Sequence, residues 1–385
     1  MKREEKRVVL LVDDAPANIQ VVNSILKDDY RIRIATSGAK ALEVANSSPA
    51  PDLILLDIMM PEMDGYEVCT RLKATPHTRD IPVIFLTGKI EAEDETRGFQ
   101  VGAVDYIHKP FSPPVVKARV ATHLMLREAR EQLARQLLAL NSELEMARQI
   151  QLSILPREAP KLEGLEICAR YVPMSSVAGD FYDFIVVDPQ HVGILVADVS
   201  GHGLPAALIA SMLQVALTAQ YSHASKPGKV LSGLNQALCG KFQSNFVTAA
   251  YAFVDLEKRI LHYAGAGHPP LLLWSRSCSK AQEVCENGLV LGQFPEATYD
   301  SVKVDIGAGD CCLLYTDGVV EARNSSSEEF GIDRLKEFLA ENSRLGGNQF
   351  VEQLLEKLGH WAQLETGESH SDDITLLRAS FSKPT

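Results

Sequence analysis

Short hydrophobic runs alternate with polar, helix-compatible segments over residues 8 to 112. The runs are "VVLLVDD", "RIRIAT", "LILLDI", "PVIFLT" and "DYIHKP". Strands of a parallel sheet are buried on both faces, so they show near-continuous hydrophobic runs, and helices cover the two faces. The pattern predicts a doubly wound α/β domain with a five-stranded parallel sheet, to which we assign residues 1 to 122.

From about Pro113 to Ile154 the pattern changes to one long helix without glycine or interior proline. Some of its apolar residues follow the 4-3 spacing of a coiled-coil seam, and arginine and glutamate crowd the flanks. These apolar residues are Leu133, Leu137, Leu140, Leu144 and Ala147. We therefore expect residues 123 to 155 to form a coiled-coil linker that joins two chains in a homodimer. An amphipathic helix packed on its own domain is the alternative, because the seam covers only about two heptads.

Residues 165 to 381 contain longer strands and several pairs with an antiparallel pattern. The segment "TAAYAFVDLEKRILHYAGAGHPPLLLW" predicts a strand, a short turn, a second strand, a Gly-Pro turn and a third strand. Helical patterns follow Gly203, Pro227, Gly331 and Gly347. Strands in groups and helices in groups predict an α+β layered domain, to which we assign residues 156 to 385.

The charge balance narrows the classes of partner. With 50 acidic and 38 basic residues the net charge is −12, which argues against binding to nucleic acid or an anionic membrane, because such binding relies on Lys and Arg.

The most apolar long segment, residues 204 to 220, is broken by polar residues and is shorter than the roughly 20 residues of a membrane span. The seven cysteines form no C-x-x-C pair, and no secretory pattern opens the sequence. We expect a cytoplasmic protein that binds neither membranes nor nucleic acid.

Polar residues end the strands of the first domain, and ligands of parallel sheets bind at those carboxyl ends. They are Asp13, Asp14, Asp57, Thr87 and Lys109. Three neighbouring carboxylates repel one another unless a hard cation such as Mg²⁺ lies between them. A carboxylate beside such an ion can attack phosphorus to give an aspartyl phosphate, and Lys109 could neutralise the added charge. For any single aspartate, a helix cap or a solvated loop is the alternative.

The motifs "LLVDDAPANI", "LILLDIMMPEMDGYEV", "VIFLTG" and "DYIHKPF" resemble the response-regulator receiver domain over residues 7 to 122. The resemblance implies that Asp57 accepts a phosphoryl group from a sensor histidine kinase. It also implies that Asp13 and Asp14 hold Mg²⁺ together with Asp57.

The same resemblance implies roles for residues of the last two strands. Thr87 would sense the phosphoryl group and Lys109 would contact it. The peptide bond between Lys109 and Pro110 would be cis, and Tyr106 occupies the position of the aromatic switch residue.

Four aspartate-bearing motifs recur after residue 170, each beside a strongly apolar strand. They are "VAGDFYDF", "VADVSGHG", "LLYTDGVVEA" and "SHSDDITLL". Carboxylates at the rim of a buried sheet, without a matching set of Lys or Arg, require cations. All-oxygen ligands suit Mg²⁺ or Mn²⁺ rather than Zn²⁺, and His202, His268 and His370 lack the spacing of metal ligands. Two such ions would activate water for direct hydrolysis of a phosphomonoester, whereas four turn-capping acids are the alternative.

Together with "ARQIQLSILP", "AGAGHPPLLL" and "GLVLGQF", these motifs resemble the metal-dependent PPM Ser/Thr phosphatases over about residues 145 to 381. The likeness is to the bacterial branch of the stage II sporulation and stress-response phosphatases. It implies a layered α-β-β-α sandwich that binds two Mn²⁺ or Mg²⁺ ions. The implied ligands are Asp180, Asp198, Asp317, Asp372 and the backbone carbonyl of Val199, with Asp183, Gly201 and Asp373 around them. The usual "GGD" is "AGD" here, and the arginine that binds phosphate in eukaryotic relatives has no counterpart.

Two hypotheses of different classes follow. The first is a response regulator whose phosphatase output acts on a phosphorylated anti-sigma-factor antagonist of the STAS type, under control of Asp57. The second is a non-catalytic adaptor of the same architecture that binds a sigma factor or an anti-sigma partner. An adaptor would be free to lose Asp180, Asp317 or Asp372, and this chain keeps them.

Overall fold

The computed structural model describes residues 6–88, 92–174, 177–242, 245–363 and 372–383. The chain divides into two compact units, Met1–Ala139 and Leu140–Thr385. Over the described residues, no helix combines the length and the apolar character that crossing a membrane requires.

The N-terminal unit alternates strands and helices, as the sequence predicts. Its elements are β1 (Val8–Val12), α1 (Pro16–Leu26), β2 (Arg31–Ala35), α2 (Gly38–Ala45), β3 (Leu53–Asp57), α3 (Gly65–Ala74), β4 (Val83–Thr87), α4 (Ala92–Gln100), β5 (Asp105–His108) and the first part of α5 (Pro113–Ile154). The five strands are parallel in the order β2-β1-β3-β4-β5. Hydrophobic clusters cover both faces of the sheet, which confirms the doubly wound fold.

Helix α5 begins inside the core of the N-terminal unit. Val116, Val120 and Leu124 follow helical spacing and are buried in one of its two hydrophobic clusters. Arg127 extends this attachment, because its Nη1 donates to the carbonyl of Asp52 at 2.8 Å. The helix is continuous from Pro113 to Ile154, so the predicted domain boundaries at residues 122 and 155 stay predictions.

In the described residues, the C-terminal unit contains two sheets, antiparallel except for the pairing of β13 with β10, and four helices after α5. Its elements are β6 (Leu165–Val172), β7 (Phe181–Asp188), β8 (His191–Val199), α6 (Leu204–Thr218), α7 (Pro227–Leu238), β9 (Val247–Asp255), β10 (Ile260–Ala266), β11 (Leu271–Ser275), β12 (Lys280–Val284), β13 (Asn287–Gly288), β14 (Val302–Asp305), β15 (Cys311–Tyr315), α8 (Gly331–Glu341), α9 (Gly347–Ala362) and β16 (Ile374–Phe381). Short 3-10 turns cover Tyr221–His223 and Asp317–Val319.

These elements form four layers. One sheet has the order β13-β10-β9-β8-β7, with β14 beside β10, and the other has the order β12-β11-β15-β16-β6. Residues of both sheets share one hydrophobic core, to which Leu195 and Leu377 belong. Helices α6 and α7 contact the first sheet, and α8 and α9 contact the second. The layered α-β-β-α sandwich is therefore confirmed.

Candidate functional site

The strand ends of the C-terminal unit carry four of the predicted aspartates. Asp180 directly precedes β7 and Asp198 lies near the end of β8, and pairing of Phe181 with Ala197 sets the two strand ends side by side. In the other sheet, Asp317 follows β15 and Asp372 precedes β16, and these strands are antiparallel neighbours. Each sheet thus supplies two of the four acids.

The acids of the two sheets interact electrostatically. Burial, followed by the negative charges of Asp317, Asp372 and Asp373, raises the pKa of Asp198 to about 7. Burial, followed by Asp372, raises the pKa of Asp317 to about 6. Within the described part of the chain, no ion pair links Asp180, Asp198, Asp317 or Asp372 to a lysine, arginine or histidine. Repelling carboxylates without cationic partners provide a favourable place for metal cations.

The side chain of Asp180 is held by two hydroxyl groups. Its Oδ2 accepts hydrogen bonds from Thr316 Oγ1 at 2.8 Å and from Thr375 Oγ1 at 2.6 Å. The two threonines are also joined to each other, because the Thr375 N–H donates to Thr316 Oγ1 at 2.9 Å. Complete burial, followed by the charge of Asp198, raises the pKa of Asp180 well above its usual range, and the two hydroxyl groups oppose this rise. The orientation of Asp180 is therefore fixed before any ligand binds.

Sequence reasoning missed both threonines, although each lies beside a predicted aspartate in "YTDG" and "DDIT". Groups that orient a metal-ligating carboxylate typically contribute about 10–100-fold to metal affinity. We expect Thr375→Val, which removes one donor at nearly constant volume, to weaken Mn²⁺ binding by about 10-fold or more in calorimetry. Thr375→Ser keeps the hydroxyl group and is the matched control. Equal Mn²⁺ affinities for the two variants would contradict an orienting role.

Glycines let the backbone approach these acids closely. A Cβ atom on Gly179 would lie 2.7 Å from the carbonyl oxygen of Val199, the predicted backbone ligand. Gly201 has φ +88°, a left-handed conformation that glycine adopts without strain. The available donors are therefore four carboxylates and one backbone carbonyl, all oxygen, which is the ligand chemistry of Mg²⁺ and Mn²⁺. The residues present fit a divalent-cation centre.

Asp373 and Asp183 behave differently from the four acids. Asp373 accepts the backbone N–H groups of Met174 at 2.8 Å and Gly179 at 2.7 Å, so it ties the loop before β7 to the start of β16. Asp183 accepts the N–H of Phe184 at 2.7 Å, and burial alone raises its pKa. Asp373 thus supports the loop before β7 by hydrogen bonds, and within the described residues no other acid acts on the pKa of Asp183.

The histidines of the motifs take no common position. His202 is exposed, whereas His268 is buried with its Nδ1 2.9 Å from Thr248 Oγ1. Burial lowers the pKa of His268 to about 3, so the ring is neutral at physiological pH. His370 lies outside the described residues.

The most tightly grouped potential metal-ligand atoms of the described residues do not belong to these four acids. Among the described residues, three potential ligand atoms come within 4.8 Å of one another in two groups. These are Asp13, Asp14 and Asp57, and His191, Asp255 and Glu257. In the second group Asp255 already accepts from Lys258 Nζ at 2.9 Å. The four acids of the C-terminal unit are therefore less tightly grouped than the three acids of the N-terminal unit.

The N-terminal group lies at the carboxyl end of the parallel sheet. Lys109 Nζ donates to Asp13 Oδ2 and Asp57 Oδ2, each at 3.0 Å. Burial, with the charge of Asp13, raises the pKa of Asp57, while the hydrogen bond from Lys109 lowers it in part. Burial lowers the pKa of Lys109, but its bonds to the two carboxylates outweigh this and raise it overall. Asp14 is exposed at the rim of the group.

Other residues complete this site. Asn18, which sequence reasoning missed, donates from Nδ2 to both carboxylate oxygens of Asp13 at 3.0 Å. Thr87 is buried at the end of β4, and the Lys109–Pro110 peptide bond is cis as the resemblance implied. Tyr106 is buried with its ring 5.2 Å from that of Phe99. All five predicted residues of the N-terminal site are thus at one end of the sheet.

Two families match the chain. Residues 9–121 match the response regulator receiver domain, and residues 188–382, about half of the chain, match Stage II sporulation protein E (SpoIIE). The phosphoserine phosphatase RsbU of Bacillus subtilis is 31% identical over 241 residues, which are 62% of this chain and 70% of RsbU. The chain belongs to the SpoIIE family. Its N-terminal unit is a response-regulator receiver domain.

Other relatives match smaller parts or only the fold. A probable cyclic di-GMP phosphodiesterase of Vibrio cholerae is 52% identical over 128 residues, which are 33% of this chain and 29% of that protein. Among solved structures, the SiaA-PP2C domain of Pseudomonas aeruginosa has a TM-score of 0.57 at 24% identity and covers 65% of this chain and 100% of that domain. The likeness to the SiaA-PP2C domain shows the fold alone. These matches indicate a metal-dependent serine/threonine phosphatase, which is the class of enzyme that the motifs predict.

Proposed function

We propose that this SpoIIE-family chain is a response regulator whose output is hydrolysis of phosphoserine or phosphothreonine in a protein, controlled by phosphorylation of Asp57. The observation that carries the proposal is the set of mutually repelling aspartates contributed by both sheets, to which no ion pair is formed within the described residues. An adaptor would have no need to keep such a set. The name of RsbU, a phosphoserine phosphatase, supports the substrate class.

The residues divide into two proposed centres. Asp180, Asp198, Asp317, Asp372 and the Val199 carbonyl would hold two Mn²⁺ or Mg²⁺ ions. When bound, the pair of ions supplies Lewis acidity at phosphorus and lowers the pKa of the attacking water. The chain itself fixes Asp180 through its two threonines, and Gly179 lets the backbone pass close to the Val199 carbonyl. Asp183 is not assigned a place in this centre.

The receiver would accept its phosphoryl group on Asp57 from a sensor histidine kinase. Asp13, Asp14 and Asp57 would hold one Mg²⁺ ion, and Lys109 would neutralise charge on the phosphoryl oxygens. Thr87, buried beside them, would report phosphorylation by moving toward the phosphoryl group. Phosphorylation can regulate the phosphatase unit only if it stabilises one of two conformations of the chain more than the other. Helix α5 is the element that leads from the receiver to the phosphatase unit.

We also propose that α5 pairs with the same helix of a second chain. Leu133, Leu137 and Leu140 are each more than half exposed, and they share the spacing of a coiled-coil seam. We expect Leu137→Gln combined with Leu144→Gln to reduce the mass measured by light scattering from that of a dimer to half. Leu138→Gln, at an exposed position outside the seam, is the control. An unchanged mass in the double variant would exclude the seam as the dimer interface.

The finer proposal is that the substrate is a phosphorylated anti-sigma-factor antagonist of the STAS type. The test is release of phosphate from such a phosphoprotein by the full chain, with Mn²⁺, in the presence and absence of acetyl phosphate. We expect turnover that changes when the receiver is phosphorylated. Turnover of p-nitrophenyl phosphate without turnover of the phosphoprotein would contradict the substrate. Tight binding of a sigma or anti-sigma protein without any hydrolysis would favour the adaptor.

A further inference from the structure

The last turn of α5 is bonded to the loop that carries Asp180. Gln151 is only 5% exposed, and its Nε2 donates to the carbonyl of Ala178 at 2.5 Å. In return, the Ala178 N–H donates to Gln151 Oε1 at 3.1 Å. One side-chain amide therefore satisfies both backbone groups of one residue, as a neighbouring strand would do. Buried backbone groups need such partners, so the contact is specific to an amide of this length.

Ala178 begins a short segment that ends at Asp180, one of the proposed metal ligands. The next residue, Gly179, donates its N–H to Asp373 at 2.7 Å, and a Cβ on it would lie 2.7 Å from the Val199 carbonyl. The residue after that is Asp180, which is completely buried against its two threonines. A displacement of Ala178 therefore moves Asp180 relative to the Val199 carbonyl.

The same helical turn is fixed on a second side. The carbonyl of Ile154 accepts from Gln214 Nε2 of α6 at 3.3 Å, and Leu155 is buried in the core of the C-terminal unit. Ile150, the residue directly before Gln151, is 62% exposed, whereas Gln151 is 5% exposed. The side of this helical turn that carries Gln151 therefore faces the loop of Ala178. A rotation of the helix by one residue turns each side chain by about 100° and would carry Gln151 away from Ala178.

We infer that Gln151 is a positioning residue that couples the rotational setting of α5 to the affinity of the phosphatase unit for its metal ions. It acts through Ala178, without touching substrate or metal. The inference rests on the proposed function and adds to it the residue through which the linker helix reaches the metal centre. The glutamine belongs to the motif "ARQIQLSILP", to which the catalytic chemistry assigns no role.

The test measures Mn²⁺ binding by calorimetry on the full chain, together with hydrolysis of p-nitrophenyl phosphate as a function of Mn²⁺. We expect Gln151→Leu, which leaves both Ala178 groups without a partner, to weaken Mn²⁺ binding by about 10–100-fold. At saturating Mn²⁺ its kcat should return toward that of the wild type, because no ligand has been removed. Its response to acetyl phosphate should be lost at limiting Mn²⁺.

Two further variants make the result decisive. Gln149→Leu, at an exposed position two residues earlier, should leave Mn²⁺ affinity unchanged. Gln151→Glu keeps the volume and the acceptor for the Ala178 N–H but loses the donor, so its affinity should lie between those of the wild type and Gln151→Leu. It also replaces Gln151→Leu in the test if that variant does not fold.

The outcomes separate this inference from the proposed function. Unchanged Mn²⁺ affinity in the Gln151 variants, or an equal loss in Gln149→Leu, would overturn the role of Gln151 while the wild-type phosphatase activity stands. A wild type that binds Mn²⁺ but hydrolyses no phosphomonoester would overturn the proposed function. A weaker affinity confined to the Gln151 variants would still support the coupling.

Discussion

Replacing Asp317 by alanine is expected to abolish Mn²⁺-dependent hydrolysis of p-nitrophenyl phosphate while the fold stays intact. Asp317 opens the 3-10 turn after β15. Its negative charge helps to raise the pKa of Asp198, and the charge of Asp372 helps to raise the pKa of Asp317. Its removal relieves repulsion in the metal-free protein, so stability should not fall. The loss of activity should exceed about a hundredfold, since even groups that only support a ligand cost about 10–100-fold.

Asp305→Ala, which removes an exposed acid from β14 of the same unit, is the control for this experiment. Steady-state turnover should be measured over a range of Mn²⁺ concentrations, with the melting temperature recorded with and without the ion. Mn²⁺ should raise the melting temperature of the wild type and of the control more than that of Asp317→Ala. Unchanged turnover in Asp317→Ala would remove Asp317 from the metal centre.

Asp57→Ala is expected to eliminate labelling of the chain by radioactive acetyl phosphate. In the receiver, Asp57 is the acid that lies against Lys109 at the end of β3, where burial raises its pKa. We assign the phosphoryl group to Asp57 rather than to Asp13, because Asp13 accepts two further hydrogen bonds, from Asn18 Nδ2 and from the Ala15 N–H. The expected change is therefore from one phosphoryl group per chain to none.

The matched control is Asp80→Ala, which removes an exposed acid of the same unit. Labelling should be followed in the presence of Mg²⁺, and circular dichroism should verify that each variant is folded. Incorporation of phosphate into Asp57→Ala would move the phosphoacceptor to another residue. The same variant should make hydrolysis by the phosphatase unit insensitive to acetyl phosphate.

The strands and their ends could be predicted from the sequence because each hydrophobic run stops at a polar residue. The positions of aspartates such as Asp13 and Asp317 at strand ends follow from this pattern alone. The meeting in space of the acids of the C-terminal unit does not follow from it, because Asp198 and Asp372 lie in different sheets. Only the resemblance to known families supplied that step.

Other parts of the site depend on tertiary contacts that periodicity does not contain. Thr316, Thr375 and Gln151 are ordinary polar residues until the fold brings them to Asp180 and Ala178. The motif "GDFYD" contains two acids, and Asp183 lies within β7, about 10 Å along the strand from Asp180 at about 3.3 Å per residue. Strand geometry thus separates acids that look alike in the sequence.

The division of the acids between two sheets makes the spacing of these acids depend on packing inside the sandwich. Leu314 of β15 and Leu377 of β16 pack in the core that joins the sheets, several residues from any acid. If one sheet slides on the other, the distance between the two pairs of carboxylates changes, and the geometry offered to the ions changes with it. The packing of residues such as Leu314 and Leu377 between the sheets therefore helps to set the distance between the two pairs of carboxylates.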